Sequence, residues 1–120
     1  MQTQMSCSAA IHALISGASP KTYGASGIVP ASVDFIRAIG GAGGITLSLT
    51  EAIYATADPC FPTALYQTYF AVRVDAGAGP VIFNDLSGAL FNGGPSWTMN
   101  NRYQWAIFVW NGVGWDVMAN

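Results

Sequence analysis

The chain has 120 residues with four basic and six acidic side chains, a net charge of −2 and 52% hydrophobic residues. That length fits one domain, the scattered charges exclude the clustered Lys and Arg of a nucleic-acid footprint, and no stretch approaches the roughly 20 apolar residues of a helical membrane span. Only 8% of residues are charged, against about 25% in an ordinary globular domain, so the surface is either polar without charge or shared with a partner; the hydrophobic content favours the second.

The first twenty residues, MQTQMSCSAAIHALISGASP, carry no formal charge. A secretory signal wants a basic start and an unbroken apolar stretch. Here the start is Gln-Thr-Gln, and AAIHALI is broken by His12, so no signal is expected. Segment 6–17 reads either as a short helix, capped by Ser6 or Ser8 and stopped by Gly17, or as an extended arm. Residues 1–30 together read as an N-terminal arm or peripheral segment, with the tract SGASPKTYGASG (16–27) as loop, and residues 31–120 as a β-domain.

From there the pattern has period two. Val33, Phe35, Arg37 and Ile39 alternate with Asp34, Ile36 and Ala38; GGAGG (40–44) is a turn by composition. Ile45, Leu47 and Leu49 alternate with Thr46, Ser48 and Thr50, the cleanest half-buried strand of the chain. EAIYATADPCFPTAL (51–65) holds two prolines and no clean period, so it reads as a long connection, with a helical turn at most over 51–57. In YQTYFAVRVD (66–75), Thr68, Phe70, Val72 and Val74 face one way and Gln67, Tyr69, Ala71, Arg73 and Asp75 the other. The first, more apolar set is expected at the core or a subunit interface. DAGAGP (75–80) and NGGPS (92–96) are turns, and PVIFN (80–84) is a short strand.

The last strand pair raises the sharpest question. Tyr103, Trp105, Ile107 and Val109 point to one side, and Gln104, Ala106, Phe108 and Trp110 to the other, so large apolar groups occupy both faces. Asn111-Gly112 is a tight-turn signal that joins this strand to GWDVM (114–118) as a hairpin. No long-period repeat is visible. Many short strands between glycine-rich turns predict an all-β fold, a single antiparallel β-sandwich or jelly-roll-like barrel with an N-terminal arm.

Reactive groups are sparse. His12 is the only histidine, and it lies near no recognisable nucleophile motif. The carboxylates are dispersed, and Asp75 and Asp85 sit beside turns, where Asp bonds its own backbone. GGAGG lacks the G-K-[ST] ending of a phosphate loop. Cys7 and Cys60 form no metal-binding spacing; the default reading is two buried free thiols, with a bridge between them as the alternative. No enzyme, metal or cofactor is expected. Trp97, Tyr103, Trp105, Trp110 and Trp115, with Asn92, Asn100, Asn101 and Asn111 nearby, have the ingredients of a carbohydrate platform. Filling a core or an intersubunit seam is the plainer use of the same rings.

Over residues 45–118 a longer order emerges. ITLSLTEA is followed by a connection, by VRVDAGAGPVIF with its Ala-Gly turn, and by NDLSGALFNGGPSWTMNNRYQWAIFVWNGVGWDVM. The succession G-x-L-x-N-G, T-x-N-N-x-Y, hydrophobic strand and N-G-x-G-W resembles short β-rich virion proteins of tailed bacteriophages, both head decoration (cement) proteins and tail-fibre tip domains. Those commonly have D-G-x-x-W where this chain has NGVGW. The resemblance implies a non-enzymatic β-rich homotrimer made in the host cytoplasm and placed on the outer surface of the capsid. Such a protein stabilises the shell by binding across junctions of the major capsid protein. It makes Ile11, Leu14, Ile15, Phe70, Tyr103, Trp105, Phe108 and Trp110 the expected oligomer or shell contacts. The alternative is a tail- or head-fibre receptor- or glycan-binding module, with Trp97, Trp110 and Trp115 as its platform.

Overall fold

The computed structural model describes residues 20–54 and 65–120. These residues form strands and turns, with no helix among them: β1 (Pro20–Tyr23), β2 (Gly27–Val29), β3 (Phe35–Ala38), β4 (Ile45–Leu49), β5 (Ile53–Tyr54), β6 (Leu65–Tyr66), β7 (Thr68–Arg73), β8 (Val81–Asp85), β9 (Trp97–Met99), β10 (Trp105–Trp110) and β11 (Trp115–Ala119). One sheet has the order β1-β3-β7-β10-β11, a second the order β2-β4-β8-β9, and β5 pairs with β6 alone.

The path between the sheets explains the strand directions. β1, β3 and β7 lie in the first sheet, and the strand after each glycine-rich turn (β2, β4 and β8) lies in the second. β1–β3, β3–β7, β2–β4 and β4–β8 are therefore parallel pairs. Three strand pairs stack like successive turns of a coil. β9 then runs back along β8, and β10 and β11 complete the first sheet as antiparallel neighbours. The all-β class holds, but the sheets are mixed, not antiparallel as expected. Alternating residues and a run such as GGAGG serve equally well for a turn that folds back within one sheet and for one that crosses to the other.

The stacking also exposes a repeat that is not visible by eye. Phe35 pairs with Phe70 and Ile45 with Val81, so FIRAIGGAGGITLSL lies strand on strand over FAVRVDAGAGPVIFND. The second turn is one residue longer and residues 50–69 intervene, which disguises the register. The stacked turns approach closely enough to require glycine: a Cβ on Gly79 would sit 2.0 Å from the Gly44 nitrogen, and Gly44 itself has φ +75°.

The core lies between the two sheets. Ile36, Tyr69, Ala71, Ala106 and Phe108 come from the first, and Val29, Leu47, Leu49, Val81, Phe83 and Met99 from the second; all are fully buried. Each large apolar side chain buried here contributes about 1.5–3 kcal/mol. Phe83, Phe91 and Trp115 surround Phe108, Tyr69 and Trp110 in a continuous aromatic cluster, with Phe83 and Phe108 centroids 4.9 Å apart.

Three expectations need correction. The domain boundary at residue 31 falls too late, because residues 20–29 supply β1 and β2. Their side chains are mostly exposed, and the parallel backbone ladder holds them where no hydrophobic pattern shows. β9 was hidden in the same way, being only three residues long. In β7 the core half of the expectation fails: Tyr69, Ala71 and Arg73 face the core, while Phe70 and Val72 face outward, on the side left to the interface alternative. Segment 6–17, His12, Cys7 and Cys60, and residues 55–57 of the helical turn expected at 51–57, lie outside the described residues; Ile53 and Tyr54 belong to β5, not to a helical turn.

Candidate functional site

Because side chains alternate across a strand, the burial of Ile36, Ala71, Ala106 and Phe108 fixes what the first sheet shows on its other side. Its middle row runs Pro20, Phe35, Phe70, Ile107 and Met118 in direct register across all five strands. Arg37, Val72 and Trp105 form the row towards the glycine-rich turns, and Thr68, Val109 and Asp116 the row towards the β10–β11 hairpin tip. Phe35 meets Phe70 edge to face at 4.9 Å, and Phe70 stacks on Trp105 at 6.3 Å. These rings, with Val72, Ile107 and Val109, are half-buried, and Met118 is 61% exposed. The face is an apolar platform with one cation and one anion. Arg37 makes no ion pair among the described residues, and the Asn111 Nδ2 donates to Asp116 Oδ1 at 3.0 Å.

The outer face of the second sheet has a different chemistry. Thr46, Ser48, Asn84 and Thr98 line it, with Ile28 and Ile82 as its apolar members. The Ser48 hydroxyl donates to Asn84 Oδ1 at 2.7 Å across the β4–β8 pair.

Two polar sites sit at opposite ends of the core, and neither was read as a site from sequence. At the glycine-turn end Arg73 is fully buried; its Nε donates to Asp75 Oδ1 at 3.0 Å, Nη1 to the Met99 carbonyl and Nη2 to the Gly77 carbonyl. Asp75 also accepts from the Gly40, Gly41 and Gly77 N–H groups. The Arg73 hydrogen bond first, and these backbone donors with it, outweigh the cost of burial and hold the Asp75 carboxyl well below the usual carboxylate range. At the hairpin end the Trp115 indole donates to Asp85 Oδ1 at 2.8 Å, and Oδ2 accepts from the Ser87 and Ala89 N–H groups. Burial pushes the Asp85 carboxyl up, but hydrogen bonds from the Glu51 carboxyl, the indole and those two amides prevail and hold it down. The same hydrogen bond, then burial and the negative charge of Asp85, pushes Glu51 up to about 7. The signals were present as R-V-D beside one turn and N-D beside another, but each read as turn chemistry.

The expected contact residues separate. Phe70 and Trp105 lie on the outer apolar face. Tyr103 lies in the loop before β10, 61% exposed at φ +66°, with the Arg102 guanidinium 4.7 Å from its ring centroid. Phe108 and Trp110 are not surface groups but core side chains on the inner side of β10. Of the carbohydrate platform, Trp115 and Trp110 are 1% and 6% exposed and their rings pack together, while Trp97 is half-buried against the core. Buried rings offer no face to a sugar. Ile11, Leu14 and Ile15 lie outside the described residues. Among the described residues no cluster of three or more His, Cys, Asp or Glu side chains is placed to hold a metal ion, and no helix is long and apolar enough to cross a membrane.

One further feature went unread in the sequence. Asn92, at φ +47°, sets its side-chain amide against β11: Val117 N–H donates to Asn92 Oδ1 at 2.8 Å, and Asn92 Nδ2 donates to the Val117 carbonyl at 3.1 Å. With Asn92 N–H donating to the Trp115 carbonyl, this amide takes the place of a neighbouring strand and blocks the β11 edge against further pairing.

Comparison with protein-family models, with curated proteins and with solved structures finds no match to this chain.

Proposed function

We propose that this chain is a non-enzymatic structural protein that works by association, and that its contact surface is the outer face of the five-stranded sheet. The observation that carries the reading is the row Phe35, Phe70, Ile107 and Met118, four apolar side chains in register on one side of a sheet whose other side already forms the core. Apolar area beyond what a monomer hides marks an interface. The blocked β11 edge favours association through the face over growth by strand addition.

The two sheets packed on one core are read as a β-sandwich. Its place is read from the resemblance of residues 45–118 as a tailed-phage virion, on the outer capsid surface, as a homo-oligomeric decoration (cement) protein bound across junctions of the major capsid protein. Association at several junctions at once turns weak contacts into tight ones through effective concentration. The fibre-tip glycan-binding alternative keeps little support, since two of its three rings are inside the core.

The test is co-sedimentation of the protein with expanded tailed-phage heads stripped of their own decoration proteins. Binding at regular sites that raises the heat resistance of the heads is expected. Saturable binding to glycans with no binding to heads would contradict the reading.

A further inference from the structure

The association reading leaves open what occupies the apolar face. We infer that the occupant is a second copy of this chain, packed face to face about a twofold axis, with Arg37 of each copy against Asp116 of the other. The inference rests on the proposed role of the face as a contact surface and adds the partner and its geometry.

The placement of the charges is the first argument. Arg37 lies on β3 and Asp116 on β11, three strands apart, and the register through Val72, Trp105 and Val109 puts them four residues apart along the strands. With strands about 4.8 Å apart and about 3.3 Å per residue, the two steps are roughly 14 Å and 13 Å. The pair thus occupies opposite corners of a near-square face. A twofold axis lying in the plane of contact, perpendicular to that diagonal, exchanges the corners, so each Arg37 meets an Asp116 twice over. The axis passes through the directly paired Phe70 and Ile107, the apolar centre of the face. Strands of the two copies then cross at about 90°, one of the two angles at which sheets prefer to pack. A twofold interface has to be self-complementary in this way.

The area is the second argument. Crossed at 90°, the two faces share a region about 20 Å on a side, so two copies cover roughly 800 Å² in projection. Side-chain relief makes accessible area larger than its projection, which brings the contact to the roughly 1,000 Å² that a specific interface should clear. An apolar centre with charges at the rim is the usual anatomy of such a contact. The pairing is twofold, and it departs from the threefold number that the phage resemblance implies.

Sedimentation equilibrium at low salt on the full chain and four variants tests this. Ile107→Arg should leave a folded monomer. Arg37→Asp and Asp116→Arg should each weaken the dimer at least about tenfold by setting like charges together. The double variant Arg37→Asp/Asp116→Arg should recover affinity to within about threefold of the original, and its recovery also shows that the substitutions leave the fold intact. If Ile107→Arg abolishes association and the double variant fails to recover, the twofold pairing is wrong while the face remains the contact surface. A stable trimer indifferent to both charge reversals also overturns the pairing. If Ile107→Arg associates as before, or the unaltered chain is a monomer at millimolar concentration, the face does not bind a second copy.

Discussion

Each end of the two-sheet body holds a carboxylate in a cage of hydrogen bonds, half-buried at Asp75 and buried at Asp85, and the two ends balance it by opposite means. At the glycine-turn end Asp75 has a cation, Arg73, and three backbone donors. At the hairpin end Asp85 has no cation in contact among the described residues; it relies on the Trp115 indole, two amides and the proton of a second acid, Glu51. The difference teaches that a chain with few charges can order its loops with either an ion pair or a shared proton, and that the choice fixes how each end responds to pH. Asp75, held low, adds stability above the ordinary carboxylate pKa and loses it as pH falls through its folded value. Glu51, raised from 4.5 to about 7, adds stability below 4.5 and loses it as pH rises through about 7. Asp85 is held low as well, so acid loosens both ends, whereas mild alkali loosens only the hairpin end.

The largest effect should come from breaking the ion pair. Arg73→Met strands Asp75 and the Gly77 and Met99 carbonyls, and should cost about 3–5 kcal/mol in chemical denaturation. Next, Trp115→Phe keeps an aromatic ring in the core but removes the donor to Asp85; a loss of about 1–3 kcal/mol is expected, with the Arg73 end unaffected. Glu51→Gln sharpens the comparison further. It should flatten the fall in melting temperature between about pH 5 and pH 8 and leave the part of the acid limb that belongs to Asp75 in place. The smallest change concerns the Tyr23 hydroxyl, which is buried at the glycine-turn end without a hydrogen-bond partner among the described residues. Tyr23→Phe should be neutral or stabilise by up to about 1 kcal/mol, read from the same denaturation curves.

How much of this was legible depended on whether side chains or backbone held the element. The alternation in ITLSL and WAIFVW reports burial directly, and β4, β10 and the β10–β11 hairpin stand where the pattern puts them. In the hairpin turn only Gly112 takes positive φ, with Asn111 bonding the Val113 and Gly114 amides instead. β1 and β2 are held by a parallel ladder with exposed side chains, so hydrophobicity carries no trace of them. In β7 hydrophobicity alone did not tell the core side from the outer apolar side. Arg73 looks like a surface residue, and only its ring of carbonyls and Asp75, brought together by turns 35 residues apart in sequence, makes the inside acceptable. The apolar face itself was half legible. Two-sided apolarity in β10 was plain, but which side was the core depended on Phe108 and Trp110 meeting the aromatic cluster beneath.

The central claim is that the outer face of the five-stranded sheet is made for association and that of the four-stranded sheet for water. Ile107 and Ile82 offer a matched pair, the same residue, half-buried, on the outward side of each sheet. Sedimentation equilibrium of Ile107→Arg beside Ile82→Arg tests the claim most directly. Loss of self-association in the first and an unchanged mass in the second is the predicted result. Equal behaviour of the two variants, or loss only in Ile82→Arg, would contradict it.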